Sequence, residues 1–242
     1  MRVTRVFSER PLGANREIAL GASAAAHVGR VLRLGVGAEL TLFDGNGGEY
    51  PATIVECRGT VLRARLGEHR AIERESHLKI TLAQGLARGE RMDWVLQKAT
   101  ELGVAVLAPV LTERSVVKLD ARQAEKRRDH WRGVVIAACE QSGRNRLPEV
   151  LSLAPFGEWL ATARAGVRLL LDPTASSGLH TIGTVPAVTL LIGPEGGLSP
   201  DERALALDAG FQPVRMGPRV LRTETAAIAA LSALQALRGD SG

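Results

Sequence analysis

The chain has 242 residues, of which 45% are hydrophobic and 3% aromatic, and its formal net charge is +5. This length allows one large domain or two smaller ones. No apolar run is long enough to cross a bilayer, and the segment Met1–Glu9 lacks the apolar core of a secretory signal, so we expect a cytoplasmic protein without membrane association. The cysteines and histidines show no ligand spacing, so we expect no metal site. The excess of basic over acidic residues favours an anionic partner, for which RNA and DNA are the usual candidates.

Residues 1 to about 70 have the pattern of a small β-rich domain. Short segments alternate between apolar and polar residues, and Asp44–Gly48 has the composition of a hairpin turn. The predicted elements are strands at 16–20, 39–43, 49–56 and 60–66, and a short helix from a Ser23 cap to about Leu34. Several short strands with one small helix favour a small barrel. The polar segment 67–76 is the best linker candidate.

After this linker, strands and helices alternate. The predicted strands are 77–82, 104–110, 167–171, 188–192 and 211–216, and the predicted helices are 90–102, 120–141, 158–163, one that begins at Pro200 and 223–238. Asp120 and Thr223 are the expected N-caps of the helices at 120–141 and 223–238, and Gly103 and Gly143 are expected to end the helices at 90–102 and 120–141. Such alternation predicts a parallel sheet covered by helices.

The apolar strand at 188–192 runs directly into the glycine-rich loop Gly193–Gly197. Ser199 as N-cap, Pro200 at the first helical position and two carboxylates after it predict a helix start. Open α/β sheets bind ligands at such a place, after the carboxyl end of a strand. The loop lacks the Lys and Ser/Thr of a phosphate-binding P-loop, and Glu195 would repel a phosphate, so a neutral or cationic ligand suits it better. A tight connection without a ligand is the alternative interpretation.

Two further segments place arginines in irregular connections. Residues 216–226 link the last predicted strand to the last helix, and the alternative to a site is an ordinary loop with a capping Thr. Residues 140–148 form a helix end followed by a polar loop, where Arg144 could instead serve to cap the helix C-terminus.

Together with two shorter segments, these motifs resemble one family. The segments are, in chain order, KATELGV at 98–104, ERS at 113–115, EQSGRNRLP at 140–148, LLIGPEGGLSPDE at 190–202 and MGPRVLRTETA at 216–226. They resemble the RsmE family of SPOUT-class RNA methyltransferases, which methylate N3 of a uridine in 16S ribosomal RNA. RVF at 5–7 and HVGRVLRLGVG at 27–37 are similar to the PUA-like barrel of that family. Leu198 departs from the pattern, since many members are expected to have an aromatic residue there.

The resemblance implies an α/β fold with two domains. A small PUA-like, RNA-binding β-barrel would occupy 1–70, and a SPOUT-type parallel sheet with a deep C-terminal trefoil knot would occupy 73–242. The family works as a homodimer whose cofactor pocket lies at the subunit interface. The cofactor would be S-adenosyl-L-methionine, and the residues implied to bind it are Leu171, Asp172, Ile192, Gly193, Pro194, Glu195, Gly196, Gly197, Met216, Gly217, Val220 and Leu221. A side chain added at Gly196 is then expected to fill the space that the adenosine needs.

Methylation of N3 requires the uracil to lose its N3 proton, which either a general base or cations beside the developing anion could assist. We expect Arg114, Arg144 and Arg222 to act as anion stabilisers or RNA clamps. Glu140 is a candidate base, with Glu224 as another, although ion pairing or helix-end electrostatics would also explain these carboxylates.

The expected RNA-binding residues are all arginines, namely Arg2, Arg5, Arg30, Arg33, Arg114 and Arg144. The expected partner is 16S ribosomal RNA within the small ribosomal subunit. Three alternative functions remain open at this point: a methyltransferase of the same fold that acts on another RNA such as tRNA, a non-catalytic RNA-binding protein, and an unrelated nucleotide-dependent enzyme.

Overall fold

The computed structural model describes residues 3–58, 61–115, 121–163 and 166–241, which divide into two compact units. The first unit extends to Glu75 and includes the later segment Cys139–Leu147, and the second contains the rest of the chain. The sequence predicted domains at 1–70 and 73–242. Segment 139–147, which that division placed in the second domain, clusters with the first unit.

The first unit contains a five-stranded sheet. Its elements are β1 (Thr4–Phe7), β2 (Glu17–Ala19), α1 (Ala22–Ala26), a π-helical turn (His27–Val31), β3 (Glu39–Phe43), β4 (Tyr50–Arg58) and β5 (Val61–Leu66). The strand order is β1-β3-β4-β5-β2, with β1 parallel to β3 and the other pairs antiparallel. The alternating sequence pattern therefore predicted four of the five strands and missed β1. Helix α1 begins one residue before the predicted Ser23 cap, and Thr60 lies outside the described residues.

The core of the first unit follows from the two-residue period of its strands. In β5, Leu62, Ala64 and Leu66 are buried while the residues between them are exposed. These side chains pack with Leu40 and Leu42 of β3 in one apolar cluster. A sheet with one buried face of this kind gives the alternation of apolar and polar residues that the sequence shows.

The second unit alternates strands and helices. Its strands are β6 (Lys79–Gly85), β7 (Val106–Leu111), β8 (Glu149–Val150), β9 (Ala154–Pro155), β10 (Val167–Leu171), β11 (Ala187–Ile192) and β12 (Gln212–Val214). Its helices are α2 (Glu90–Glu101), α3 (Ala121–Ser142), whose last turn belongs to the first unit, α4 (Phe156–Thr162), a 3₁₀ turn (Leu179–Thr181), α5 (Pro200–Asp208) and α6 (Thr223–Arg238). The predicted cap Asp120 lies outside the described residues.

All pairs in the second sheet are parallel, and the order is β12-β10-β11-β6-β7-β8, with β9 also paired to β7. The predicted α/β fold with a parallel sheet is therefore confirmed. Because parallel strands end at the same edge, the loops after β10 and β11 lie side by side. This edge is the place where the chain can build a ligand site.

The final helix, α6, packs against α2 and β11. Its small residues Ala227 and Ala230 are fully buried, which is why an alanine-rich sequence fits a helix enclosed by its neighbours. Near its end, the buried Gln235 side chain accepts a hydrogen bond from the Ser76 hydroxyl (2.8 Å) and donates one to the carbonyl of Leu102 (2.8 Å). The helix is thus anchored at a fixed register, and its first turn is held beside the glycine loop.

Candidate functional site

The glycine loop has the local structure that its sequence predicts. The Ser199 hydroxyl accepts the N–H of Glu202 (3.2 Å), and the Glu202 carboxylate accepts the N–H of Ser199 (3.0 Å), so α5 begins with a complete capping box. Gly197 has a positive φ of 68°. A Cβ atom at Gly85 would lie 2.5 Å from the Pro194 nitrogen, so a glycine on β6 lets the loop pass this close.

A cavity of about 820 Å³ opens beside this loop, at the carboxyl ends of β10 and β11. Eleven of the twelve residues predicted to bind the cofactor line it. The exception is Gly217, which lines a separate cavity of about 400 Å³ together with Met216. Most of the residues predicted to bind the cofactor therefore converge on one cavity within the second unit. Its lining also includes residues outside the predicted set, namely Arg91, Arg114, Leu170, Pro173, Thr174, Leu198, Arg203, Arg219, Arg222, Thr223, Glu224 and Ala226.

Asp172 is fixed on the wall formed after β10. Its carboxylate accepts hydrogen bonds from the backbone N–H of Thr174 (2.8 Å) and from its hydroxyl (2.6 Å), and it pairs with Arg203 at 2.7 Å. Burial acts to raise the pKa of Asp172, but these donors outweigh it and the pKa is lowered. Asp172 is therefore an ionised carboxylate whose position is set by its neighbours.

Glu195 is held in a similar way on the glycine loop. It accepts the N–H of Arg88 (3.0 Å) and pairs with Arg91 of α2 at 2.9 Å. Burial acts to raise its pKa, while the backbone hydrogen bonds and Arg91 lower it further than burial raises it. The sequence did not single out Arg91, since only the fold brings the first turn of α2 to this loop.

Glu224 is the third carboxylate of the cavity, in the first turn of α6. One oxygen lies 3.9 Å from Arg91 Nε, while Oε2 is buried and has no hydrogen-bond partner among the residues that the structure describes. A buried acceptor without a donor is costly, so a group that donates to it would be stabilised here. Of the three cavity carboxylates, Glu224 is thus the one with an acceptor atom left over.

The predicted N-cap role of Thr223 is wrong. Helix α6 is capped at Arg222, and Thr223 is its first helical residue. The buried Thr223 hydroxyl donates instead to the carbonyl of Gly193 (2.7 Å) and accepts from the Gln84 amide (2.8 Å). Thr223 therefore connects α6, the glycine loop and β6, a role that only the tertiary structure reveals.

The arginines at the cavity differ in what they contact. Arg114 is exposed and donates to the carbonyl of Gly196 at 3.0 Å. A Cβ atom at Gly196 would lie 3.1 Å from Arg114 Cβ, so a substitution there would also press on Arg114, and its effect on the cofactor space stays a prediction. Arg219 and Arg222 are exposed and form no ion pair within the described residues. These two cations are available to an anionic ligand.

Arg144 and Glu140, both predicted to be catalytic, belong to the first unit. Arg144 is 3% exposed, and its guanidinium contacts both carboxylate oxygens of Glu75, at 3.0 and 2.5 Å. Glu140 accepts the N–H of Phe7 at 2.9 Å, and burial raises its pKa. Both side chains therefore have structural partners in that unit, and a catalytic role for them stays a prediction.

The arginines predicted to contact RNA from the first unit also differ. Arg2 lies outside the described residues, and so does the side chain of Arg30. Arg33 is exposed, as an RNA contact requires. The Arg5 side chain is only 8% exposed, pairs with Glu49 at 2.5 Å and lies over the Phe43 ring. Such an environment argues against a phosphate contact by Arg5, so we leave it out of the proposed RNA contacts.

Among the described residues, no group of three or more His, Cys, Asp and Glu side chains is placed to hold a metal ion. None of the helices in these same ranges has the length and apolar character needed to span a membrane.

Two family models match the chain. One, for an RNA methyltransferase domain, matches residues 74–235, and the other, for an RNA methyltransferase PUA domain, matches residues 20–57. The first match includes every residue that lines the larger cavity.

Curated relatives match over most of the chain. It is 32% identical to the ribosomal RNA small subunit methyltransferase E of Buchnera aphidicola subsp. Schizaphis graminum, over 99% of this chain and 98% of that protein. It is 31% identical to the protein of the same name from Bacillus subtilis, over 88% and 89% of the two chains.

Solved structures agree with these relatives. A ribosomal RNA small subunit methyltransferase E from Neisseria gonorrhoeae, bound to S-adenosylmethionine, is 36% identical over 100% of both chains, with a TM-score of 0.92. A Legionella pneumophila protein in complex with the same cofactor is 41% identical, with a TM-score of 0.97 over 99% of this chain and 100% of that one.

Proposed function

Because the chain belongs to the ribosomal RNA small subunit methyltransferase E family, we propose that it transfers a methyl group from S-adenosylmethionine to N3 of a uridine in 16S ribosomal RNA. The observation that carries the proposal is the single cavity of about 820 Å³ on which eleven residues of the family motifs converge. Its volume lies within the range of small-molecule sites, roughly 300–1,000 Å³.

The lining of the cavity fits the proposed cofactor. Apolar side chains such as Leu171, Ile192 and Leu221 provide surfaces for a flat base, and the loop Gly193–Gly197 brings backbone groups to the same wall. S-adenosylmethionine would supply the activated methyl group there.

The side chains at the cavity mouth are suited to the chemistry of the RNA base. We assign to Arg222 the stabilisation of the negative charge that develops on the uracil, because it is an exposed cation without an ion pair in the described structure. Arg114 would contact the base or a phosphate beside it. Glu224 is the candidate acceptor for the N3 proton, since Asp172 and Glu195 are already occupied by arginines.

Recognition of the RNA is proposed to involve the first unit. The PUA family match falls within it, and exposed Arg33 is available for phosphate contacts. We further propose the features that the family resemblance implies: a PUA-like barrel in 1–70, a knotted SPOUT domain in 73–242, a homodimer with the cofactor site at its interface, action on the small ribosomal subunit, and a cytoplasmic location.

Calorimetry would test the cofactor assignment. S-adenosylmethionine and S-adenosylhomocysteine should both bind with one site per chain, and ATP should not compete with them. Binding of ATP with no binding of either sulfur compound would reject the methyltransferase proposal in favour of another nucleotide-dependent activity.

Single-turnover methyl transfer would test the role of Arg222. At saturating RNA, Arg222→Ala should lower the rate by roughly a hundredfold, the usual effect of losing one preorganised donor. If the rate is unchanged and only RNA affinity falls, Arg222 is an RNA clamp and not an anion stabiliser. Arg215→Ala, a change to an exposed arginine of the same connection that does not line the larger cavity, serves as the matched control.

A further inference from the structure

The Glu202 side chain makes a second contact besides the one that caps α5. It is the third residue of the helix, and it is only 8% exposed. One carboxylate oxygen accepts the Ser199 N–H within the capping box, and the other accepts the backbone N–H of Glu113 at 2.8 Å. A single buried carboxylate therefore connects the start of α5 to the loop that follows β7.

The loop after β7 is a tight turn with its own internal bonds. The Ser115 hydroxyl lies 2.9 Å from the Thr112 hydroxyl and accepts the Thr112 N–H at 3.1 Å, and the Ser115 N–H donates to the Thr112 carbonyl at 3.0 Å. These bonds fix the shape of the turn but not its position. Its position relative to α5 is set by the bond from Glu113 to Glu202.

Arg114 follows directly after the backbone N–H that Glu202 holds. Its guanidinium donates to the carbonyl of Gly196 at 3.0 Å, and its side chain lines the cavity. The turn is thus held twice, by Glu202 to the start of α5 and by Arg114 to the glycine loop. Losing the carboxylate contact would free the turn on one side and let Arg114 move away from the cavity.

We propose that Glu202 is a positioning residue, which holds the turn Thr112–Ser115 against the start of α5 and so fixes Arg114 at the cavity wall. The inference rests on the proposed function, in which Arg114 contacts the RNA substrate. Glu202 itself is absent from the cavity lining, so it acts on the reaction only through Arg114.

Two variants separate this role from helix capping. Glu202→Gln leaves one side-chain oxygen for two N–H groups. Because glutamine is a usual residue at this position of a capping box, we expect its oxygen to stay with the Ser199 N–H and the contact with Glu113 to be lost. Ser199→Ala removes the hydroxyl half of the capping box but keeps both carboxylate contacts. Ser199→Ala is therefore the matched control for helix stability.

The decisive measurement is a double-mutant cycle in single-turnover methyl transfer on 16S ribosomal RNA. We expect Glu202→Gln to slow transfer by about tenfold in the wild-type background and by less than about twofold in the Arg114→Ala background. The second effect is smaller because the effects of two coupled residues are not additive. Ser199→Ala should stay within about twofold of wild type, as expected for a site not coupled to Arg114. Equal losses from Glu202→Gln in both backgrounds, or a wild-type rate, would overturn the inference.

Amide hydrogen exchange tests the contact without relying on activity. In Glu202→Gln, the Glu113 amide should exchange faster than in wild type, while in Ser199→Ala it should not. If wild-type protein fails to methylate 16S ribosomal RNA, the proposed function is rejected. The exchange rate of the Glu113 amide in Glu202→Gln relative to wild type still decides whether Glu202 holds the turn. Unchanged exchange at Glu113 would reject the contact itself.

Discussion

Replacing Thr223 by valine should weaken the connection between α6 and the glycine loop. Valine has nearly the same shape as threonine, so the change removes two hydrogen bonds and little packing. The lost bonds are a part-buried one to the Gly193 carbonyl (2.7 Å) and a buried one from the Gln84 amide (2.8 Å). The amide keeps its 3.0 Å bond to the Gly85 carbonyl, but its remaining contact with Gly193 is 3.5 Å long.

The expected loss follows from these contacts. The bond from the Gln84 amide contributes about 1 kcal/mol net, and leaving the part-buried Gly193 carbonyl poorly paired costs about 1–2 kcal/mol, so we expect a total loss of about 2–3 kcal/mol. For a protein of this size, each kcal/mol lowers Tm by about 2–4 °C, which predicts a decrease of roughly 4–12 °C. Thr223→Ser should restore most of it.

Thermal unfolding of three variants would check this prediction. Thr225→Val makes the same substitution at an exposed position of the same helical turn, so its free energy of unfolding should change by less than about 0.5 kcal/mol. Cofactor affinity should also fall in Thr223→Val, because the glycine loop loses its tether. Equal Tm values for Thr223→Val and Thr225→Val would refute the reasoning.

Four further predictions concern other parts of the chain. Arg144→Ala should lower the free energy of unfolding by about 3 kcal/mol, because it removes the buried half of an ion pair and leaves the largely covered Glu75 carboxylate, 14% exposed, without this partner; a loss within denaturant-titration error would contradict it. The pKa of Asp172 is lowered, so its contribution to stability is complete above the usual carboxyl range and is lost as the pH falls through the lowered value. Asp172→Asn should therefore reduce the acid dependence of stability, and an unchanged profile would count against this. Burial raises the pKa of Cys139 to about 12, so a thiol reagent at neutral pH should modify half-buried Cys57 alone in the folded protein; equal labelling of both thiols would disagree. Light scattering should give twice 25.8 kDa for the proposed homodimer, and a fully active monomer would reject it.

Local signals in the sequence predicted most of the elements. Ser199 and Pro200 marked the start of α5, and the structure confirms both the cap and its reciprocal Glu202. Gly103 and Gly143 were expected to end helices, and both have the positive φ that such positions require. The short first strand was missed because four residues carry too little periodicity to be recognised.

Long-range contacts decided what the sequence left open. Thr223 has the residue type of an N-cap, but its hydroxyl is used by a carbonyl 30 residues earlier. Arg91 is in the first turn of an ordinary amphipathic helix, and only the order of the strands brings it to Glu195. Arg5 and Arg144 look like surface cations in sequence, yet the side chains of both are largely buried and each pairs with a carboxylate. An arginine in a predicted loop therefore indicated a cavity residue correctly for Arg114 and Arg222 of the second unit. The same signal did not predict the ion-paired positions of Arg5 and Arg144 in the first unit.

The central claim is that this chain methylates N3 of one uridine in 16S ribosomal RNA. The direct measurement is mass spectrometry of nuclease-digested 16S ribosomal RNA, taken from small subunits that lack the modification and then incubated with purified protein and S-adenosylmethionine. The account predicts 3-methyluridine in a single oligonucleotide, and none with Arg222→Ala over the same short incubation. A methyl group on a ribose, on another base or only on tRNA would contradict it.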